Sequence, residues 1–311
     1  MDALRLCRDR ERKVLLRGVF GSFLCLFFVL AGFGTSTFVM APSIALAQRS
    51  DPQGLSGSAS SGRPDRVAAL PSLARQLALS VKRIVIDPGH GGKDCGAVSP
   101  HGVVEKEITL ALAKSLKKDL ESRIGCKVLL TRSRDQFLTL EERTRIANEA
   151  KADLFISIHA NAHADPTVNG IETYFLNYAK DQESARVAAL ENRPSGRAMS
   201  DLKALLQKLI LTTKARESAA LARQVHRNIV AKVKTKGDKV RDLGVKQAPF
   251  RVLLGAEMPS VLVETAFLSN ESDETRLLKR QFRQNLVRGV TAGIESYIAE
   301  MNRVAKAGNR S

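Results

Sequence analysis

Two histidines and two glutamates stand where metal-assisted hydrolysis would need them, and they lie far apart along 311 residues. His90 follows the run "IVIDPG", His159 lies within "LFISIHAN", Glu264 follows "SVLV", and Glu105 opens "EKEITLALAKSL". Two imidazoles and a carboxylate form a common three-ligand zinc set that leaves a fourth position for water. A second carboxylate, off the metal, can take the proton from that water. The chain has only five histidines, so two at apolar strand ends carry information. A carboxylate after Val261-Leu262-Val263 is costly unless it is paired or used. Read from the residues alone, the roles of the two glutamates stay open, and Glu107 competes with Glu105. His101, His163 and His226 are less committed, and Cys95 is an outlying ligand candidate. The glycine-rich loop after Pro88 lacks the Gly-Lys-Ser/Thr ending of a phosphate-binding loop, which excludes that reading.

The elements that must position these residues alternate in kind. Strands are expected at Arg83–Asp87, Cys126–Thr131, Asp153–Ala160, Gly170–Leu176, near Phe250–Leu254 and at Ser260–Thr265. Ile108, Leu112, Leu116, Leu120 and Ile124 recur every four residues, one stripe of a helix over Glu105–Ile124. Gly125 is its expected C-cap. Leu138–Ala152 reads as a helix entered through Thr139. Further helices are expected at about 218–233 and 282–301. This order predicts an α/β domain, a mostly parallel twisted sheet flanked by helices, over residues 81–303. In such sheets ligands sit beyond the carboxyl ends of the strands, which places the four candidates on one rim. Residues 177–217 break the alternation. "KDQESARVAALEN" and "DLKALLQKLILTT" read as two helices around Pro194, a helical insertion.

Composition narrows the partners and the compartment. Apolar residues make up 44% of the chain, enough for a real core. Lys and Arg outnumber Asp and Glu by 49 to 32, a net charge of +17, which points to a polyanionic partner. Trp is absent and Tyr numbers three, so a base-stacking surface is unsupported and nucleic acid is not expected. Residues 1–47 combine a basic start, the apolar run "VFGSFLCLFFVLAGFG" and the cleavage pattern Ala45-Leu46-Ala47, the order of a secretory signal peptide. After its removal no membrane association is expected. Residues 48–80, opening on "QRSDPQGLSGSASSGRPD", read as a flexible linker. Cys95 and Cys126 could pair in an oxidising compartment. Arg132 and Arg143 are expected to form structural ion pairs.

The blocks "IVIDPGHGGKDCGA", "EKEITLALAKSL", "VLLTRSRDQFLTLEERTRIAN", "LFISIHAN", "GIETYFL" and "PSVLVETAFLSN" occur in order, and with them the chain resembles the zinc-dependent N-acetylmuramoyl-L-alanine amidases of the amidase-3 family. The resemblance implies His90, Glu105 and His159 as ligands of one Zn2+ per chain and Glu264 as the catalytic carboxylate. It implies peptidoglycan as substrate, a periplasmic location, and action in wall remodelling and daughter-cell separation. It further implies that insertion 177–217 covers the metal through a glutamate, with Glu183 and Glu191 as candidates, until a cell-division activator displaces it. The rival readings are another zinc hydrolase of the same polymer and a wall-binding protein without catalysis.

Overall fold

The computed structural model describes residues 81–193, 213–234 and 240–308. The expected signal peptide, the linker and the second helix of the insertion lie outside them. β1 (Arg83–Pro88) is followed by α1 (Glu105–Ile124), β2 (Lys127–Leu130), α2 (Leu140–Glu149), β3 (Leu154–Asn161) and β4 (Ile171–Leu176). α3 (Gln182–Glu191), α4 (Thr213–Val233), β5 (Asp242–Ala248), α5 (Arg251–Leu254), β6 (Ser260–Phe267), α6 (Glu271–Leu278) and α7 (Arg280–Gly308) complete the domain. The six strands form one sheet in the order β2-β1-β3-β6-β4-β5. Every pairing is parallel except that of β4 with β6. Among the described residues no helix is long and apolar enough to cross a membrane.

Both faces of the sheet are covered, so its central strands are apolar throughout their length. On one face Ile84, Ile86, Ile156, Val261 and Val263 pack against α1, α4 and α7 through Leu112, Leu116, Val225 and Ile294. On the other, Val85, Phe155 and Leu262 pack against Leu140, Val187 and Phe250. α1 ends at Gly125 in the left-handed conformation, φ 71°, as its position demands. α2 starts with a complete capping box between Thr139 and Glu142.

One expected strand is corrected. Phe250–Leu254 is not a strand: Phe250 is the N-cap of the short helix α5, whose Val252 and Leu253 face the second core cluster. The fifth strand is Asp242–Ala248, an edge strand of which only Ala248 is fully buried. Its mixed composition hid it, whereas the compact apolar run of α5 imitated a buried strand. The helix expected from about 218 starts earlier, at Thr213.

Candidate metal centre

The carboxyl ends of β1 and β3 deliver the two histidines. His90 lies just past Pro88 with φ 58°, a left-handed conformation in which the turn aims its ring back over the sheet end. His159 is on β3, fully flanked by neighbouring strands, and pairs in register with Glu264 of β6. α1 begins at this rim, so Glu105 enters from the helix N-terminus. Backbone amides hold its carboxylate: Ala97 N–H donates to Oε2 at 2.8 Å and Ala160 N–H to Oε1 at 2.9 Å. Glu107, the competing residue, is exposed.

Four donor atoms converge here. His90, Glu105, His159 and Glu191 each offer one, all within 4.8 Å of one another. His90 Nε2 lies 3.1 Å from Glu105 Oε2 and 3.3 Å from Glu191 Oε2. His159 Nδ1 lies 3.1 Å from Glu105 Oε1 and 3.0 Å from Glu191 Oε2. The far nitrogen of His90, Nδ1, is 2.9 Å from Asp94 Oδ2, the outer carboxylate that commonly fixes a ligating ring. Two glycines make room. A Cβ on Gly89 would come 2.5 Å from His159 Cε1, and one on Gly96, at φ +66°, would collide with Glu105 and the His90 ring.

The donor set fits a divalent metal. His90 Nε2 is buried without a hydrogen-bond partner although carboxylate oxygens crowd it. That is the geometry of a nitrogen directed at a shared centre rather than at one acceptor. Two imidazoles with carboxylates suit zinc chemistry. As side chains alone, the four form an ion cluster. Burial acts to lower the His159 pKa, but Glu191 and Glu105 overcome it and raise it to about 10. Glu191 is pushed far below the carboxylate range, since the two imidazolium charges outweigh its burial.

Glu264 stands beside this cluster and is fully buried, with neither carboxylate oxygen hydrogen-bonded. Burial raises its pKa well above the ordinary value, and Glu191, Glu105 and Glu172 reinforce that against His159. Glu172, its register partner on β4, is instead satisfied by Lys246 at 2.6 Å and the Tyr174 hydroxyl at 2.5 Å.

The remaining candidates fall elsewhere. Glu183 pairs with Arg186 and lies 3.6 Å from His163, outside the cluster. His101 binds Glu274, and His226 binds Asp242. Cys95 is not among the clustered donors, and Cys126 is a free buried thiol, so those two cysteines do not pair. Arg143 makes the expected ion pair, 2.9 Å from Asp87. Arg132 is a correction: it donates to the carbonyls of Pro88, Gly89 and Lys106 and is a clamp on the loop backbone. Sequence reasoning missed Asp94, whose signal was its position four residues after His90 in the same loop.

A family model described as N-acetylmuramoyl-L-alanine amidase matches residues 84–296. The chain is 33% identical over 223 residues to the N-acetylmuramoyl-L-alanine amidase AmiC of Neisseria meningitidis, covering 69% of this chain and 52% of that protein. It is 34% identical over 219 residues to AmiA of Escherichia coli, covering 69% and 75% respectively. Among solved structures, the catalytic domain of the amidase CwlV from Bacillus (Paenibacillus) polymyxa superposes with a TM-score of 0.54 at 30% identity, covering 70% of this chain and 98% of that one. The chain thus spans about half of the Neisseria relative and nearly all of an isolated catalytic domain.

Proposed function

This chain belongs to the N-acetylmuramoyl-L-alanine amidase family, amidase-3, and from that premise we propose that it hydrolyses the amide joining the lactyl group of N-acetylmuramic acid to the L-alanine of peptidoglycan. The observation that carries the reading is the convergence of His90, Glu105 and His159 beside a buried, unpartnered Glu264. His90 Nε2, His159 Nδ1 and the Glu105 carboxylate would hold zinc, with Asp94 orienting the first ring. Zinc, when bound, supplies an acidified water and a pull on the acyl oxygen. Glu264 takes the water's proton and returns it to the leaving L-alanine nitrogen. Its buried carboxylate has no hydrogen-bond partner of its own, which leaves both oxygens available to the water.

Glu191 carries the regulatory part of the proposal. From the last turn of α3 its Oε2 reaches both imidazoles, 3.0 Å from His159 Nδ1 and 3.3 Å from His90 Nε2, and would compete with water for a metal held there. An activator of the division machinery that draws the 177–217 segment aside would free that position. The expected signal at 1–47 and a wall substrate agree on the periplasm as the place of action. Residues 1–47 carry a net +3 of the +17 charge, so the chain without them keeps +14, which suits a wall rich in carboxylates, and daughter-cell separation is the process proposed.

Purified sacculi test the reading. The zinc-loaded protein should release peptides with free N-terminal L-alanine, and chelation should stop it. Release of acetate or of internal peptide fragments would instead indicate a deacetylase or a peptidase. Glu264→Ala should lose about 10²–10⁴ in rate, the usual worth of a general base; a variant that kept full hydrolysis would discredit the mechanism.

A further inference from the structure

β3 continues past His159 and ends at Asn161, which is 4% exposed. The Asn161 backbone carbonyl accepts the Leu268 N–H at 2.7 Å, and its side-chain oxygen accepts the Ala162 N–H at 2.7 Å. The second bond fixes the sense of the amide, because the flipped rotamer would set N–H against N–H. The Nδ2 end is thereby left as a buried donor without a partner. Native structures rarely leave such a group idle. Asn161 lines a cavity of about 420 Å³ together with His90, Glu105 and Glu191. Of the nearby cations, Arg193 lines the same cavity, and the others have partners of their own. Arg132 and Arg143 are spent on the loop carbonyls and Asp87, and Lys93 sits 4.6 Å over the Phe137 ring.

We propose that the Asn161 Nδ2 amide donates to the scissile carbonyl oxygen of the substrate and stabilises the charge that develops on it. The inference rests on the amidase reading above. As the water oxygen bonds to the carbonyl carbon, the C=O π pair moves onto the carbonyl oxygen, against the Asn161 N–H. The water's proton goes to Glu264. When the C–N bond breaks, the pair on oxygen restores C=O and the proton passes to the L-alanine nitrogen. A fixed donor placed at that oxygen would favour the transition state over the ground state, because the charge exists only there.

The test is run on zinc-loaded full chain carrying Glu191→Ala, which opens the site, with L-alanine termini counted. Adding Asn161→Ala should lower kcat by about 10²–10³, the cost of losing one such donor, with KM nearly unchanged. Zinc stoichiometry should stay that of the parent, while the melting temperature falls modestly because the Oδ1 bond to the Ala162 N–H is lost. A phosphinate mimic of the tetrahedral species should bind more weakly by a similar factor, an equilibrium readout that turnover does not enter. Asn161→Asp, equal in shape but lacking the donor, should be at least as impaired, and it decides the matter if the alanine variant folds poorly. Unchanged kcat, or a loss fully accounted for by lost zinc, would overturn the assignment. A parent that releases no L-alanine termini would overturn the amidase reading and this inference with it, whereas an active parent with an active Asn161→Ala variant overturns only the latter.

Discussion

At the level of single residues, the candidate centre is held by contacts that leave little room for exchange. A Cβ on Gly96 would collide with both the Glu105 carboxylate and the His90 ring, and the residue is in a left-handed conformation that an L side chain resists. Gly96→Ala should therefore reduce metal affinity by at least tenfold while the far-ultraviolet circular dichroism stays native; zinc titration by calorimetry measures it. Asp87 is the residue on which the rim is built. Fully buried, it accepts from Arg143 at 2.9 Å, Thr131 at 2.6 Å and Ser157 at 2.9 Å. Burial acts to raise its pKa, but the Arg143 charge and these hydrogen bonds prevail, and the net shift is downward. A depressed carboxylate gives stability that is present above its unfolded value, near 3.8, and is lost as pH falls through its lower folded value. Asp87→Asn should remove that acid-side component and cost about 3–5 kcal/mol at neutral pH, because it strands the buried Arg143 charge. Urea denaturation at pH 7 and pH 3 should show the gap between the variant and its parent narrowing on the acid side.

Elements decide which residues meet. α3 is short, capped at its N-terminus by Asp181, whose side chain accepts from Ser184 N–H at 2.8 Å. Val187 and Ala188 anchor it to the second core cluster, and Asn192 ties its end to Pro249 and Arg251. These few contacts place Glu191 against both imidazoles. Ten residues cannot form a stable helix alone in water, so its place depends on that small docking face. Glu191→Ala should raise basal wall hydrolysis several-fold, and deletion of 180–212 should raise it at least as much; release of dye from labelled sacculi reads both. No gain from either change would remove the self-inhibition idea. The edge strand β5 illustrates the opposite relation, in which an element's own composition says little. Its pairing with β4 and the bond from His226 to Asp242 make it a strand.

Across the whole molecule, the four donors come from the loop after β1, the start of α1, β3 and the end of α3. A metal bound there joins segments about 100 residues apart, and it binds only the folded chain. Zinc at a hundredfold above its dissociation constant would add about 2.7 kcal/mol, equivalent to a melting temperature roughly 5–10 °C higher for a domain of this size. Differential scanning calorimetry with and without chelator should show that shift, and Glu105→Ala should abolish it. The sequence by itself determined the α/β class, five of the six strands and the long helices, because apolar period is a local property that the chain displays openly; it offered His90, His159, Glu105 and Glu264 as candidates, with Glu107 left beside Glu105 and the roles coming from the family resemblance. Only the tertiary structure placed Glu191 and not Glu183 among the clustered donors, brought in Asp94, left the Asn161 amide unpaired and turned Phe250–Leu254 into a helix. Those outcomes depend on which groups meet across the sheet's rim, and the distance between two side chains remote in sequence is set by packing, which no local pattern encodes.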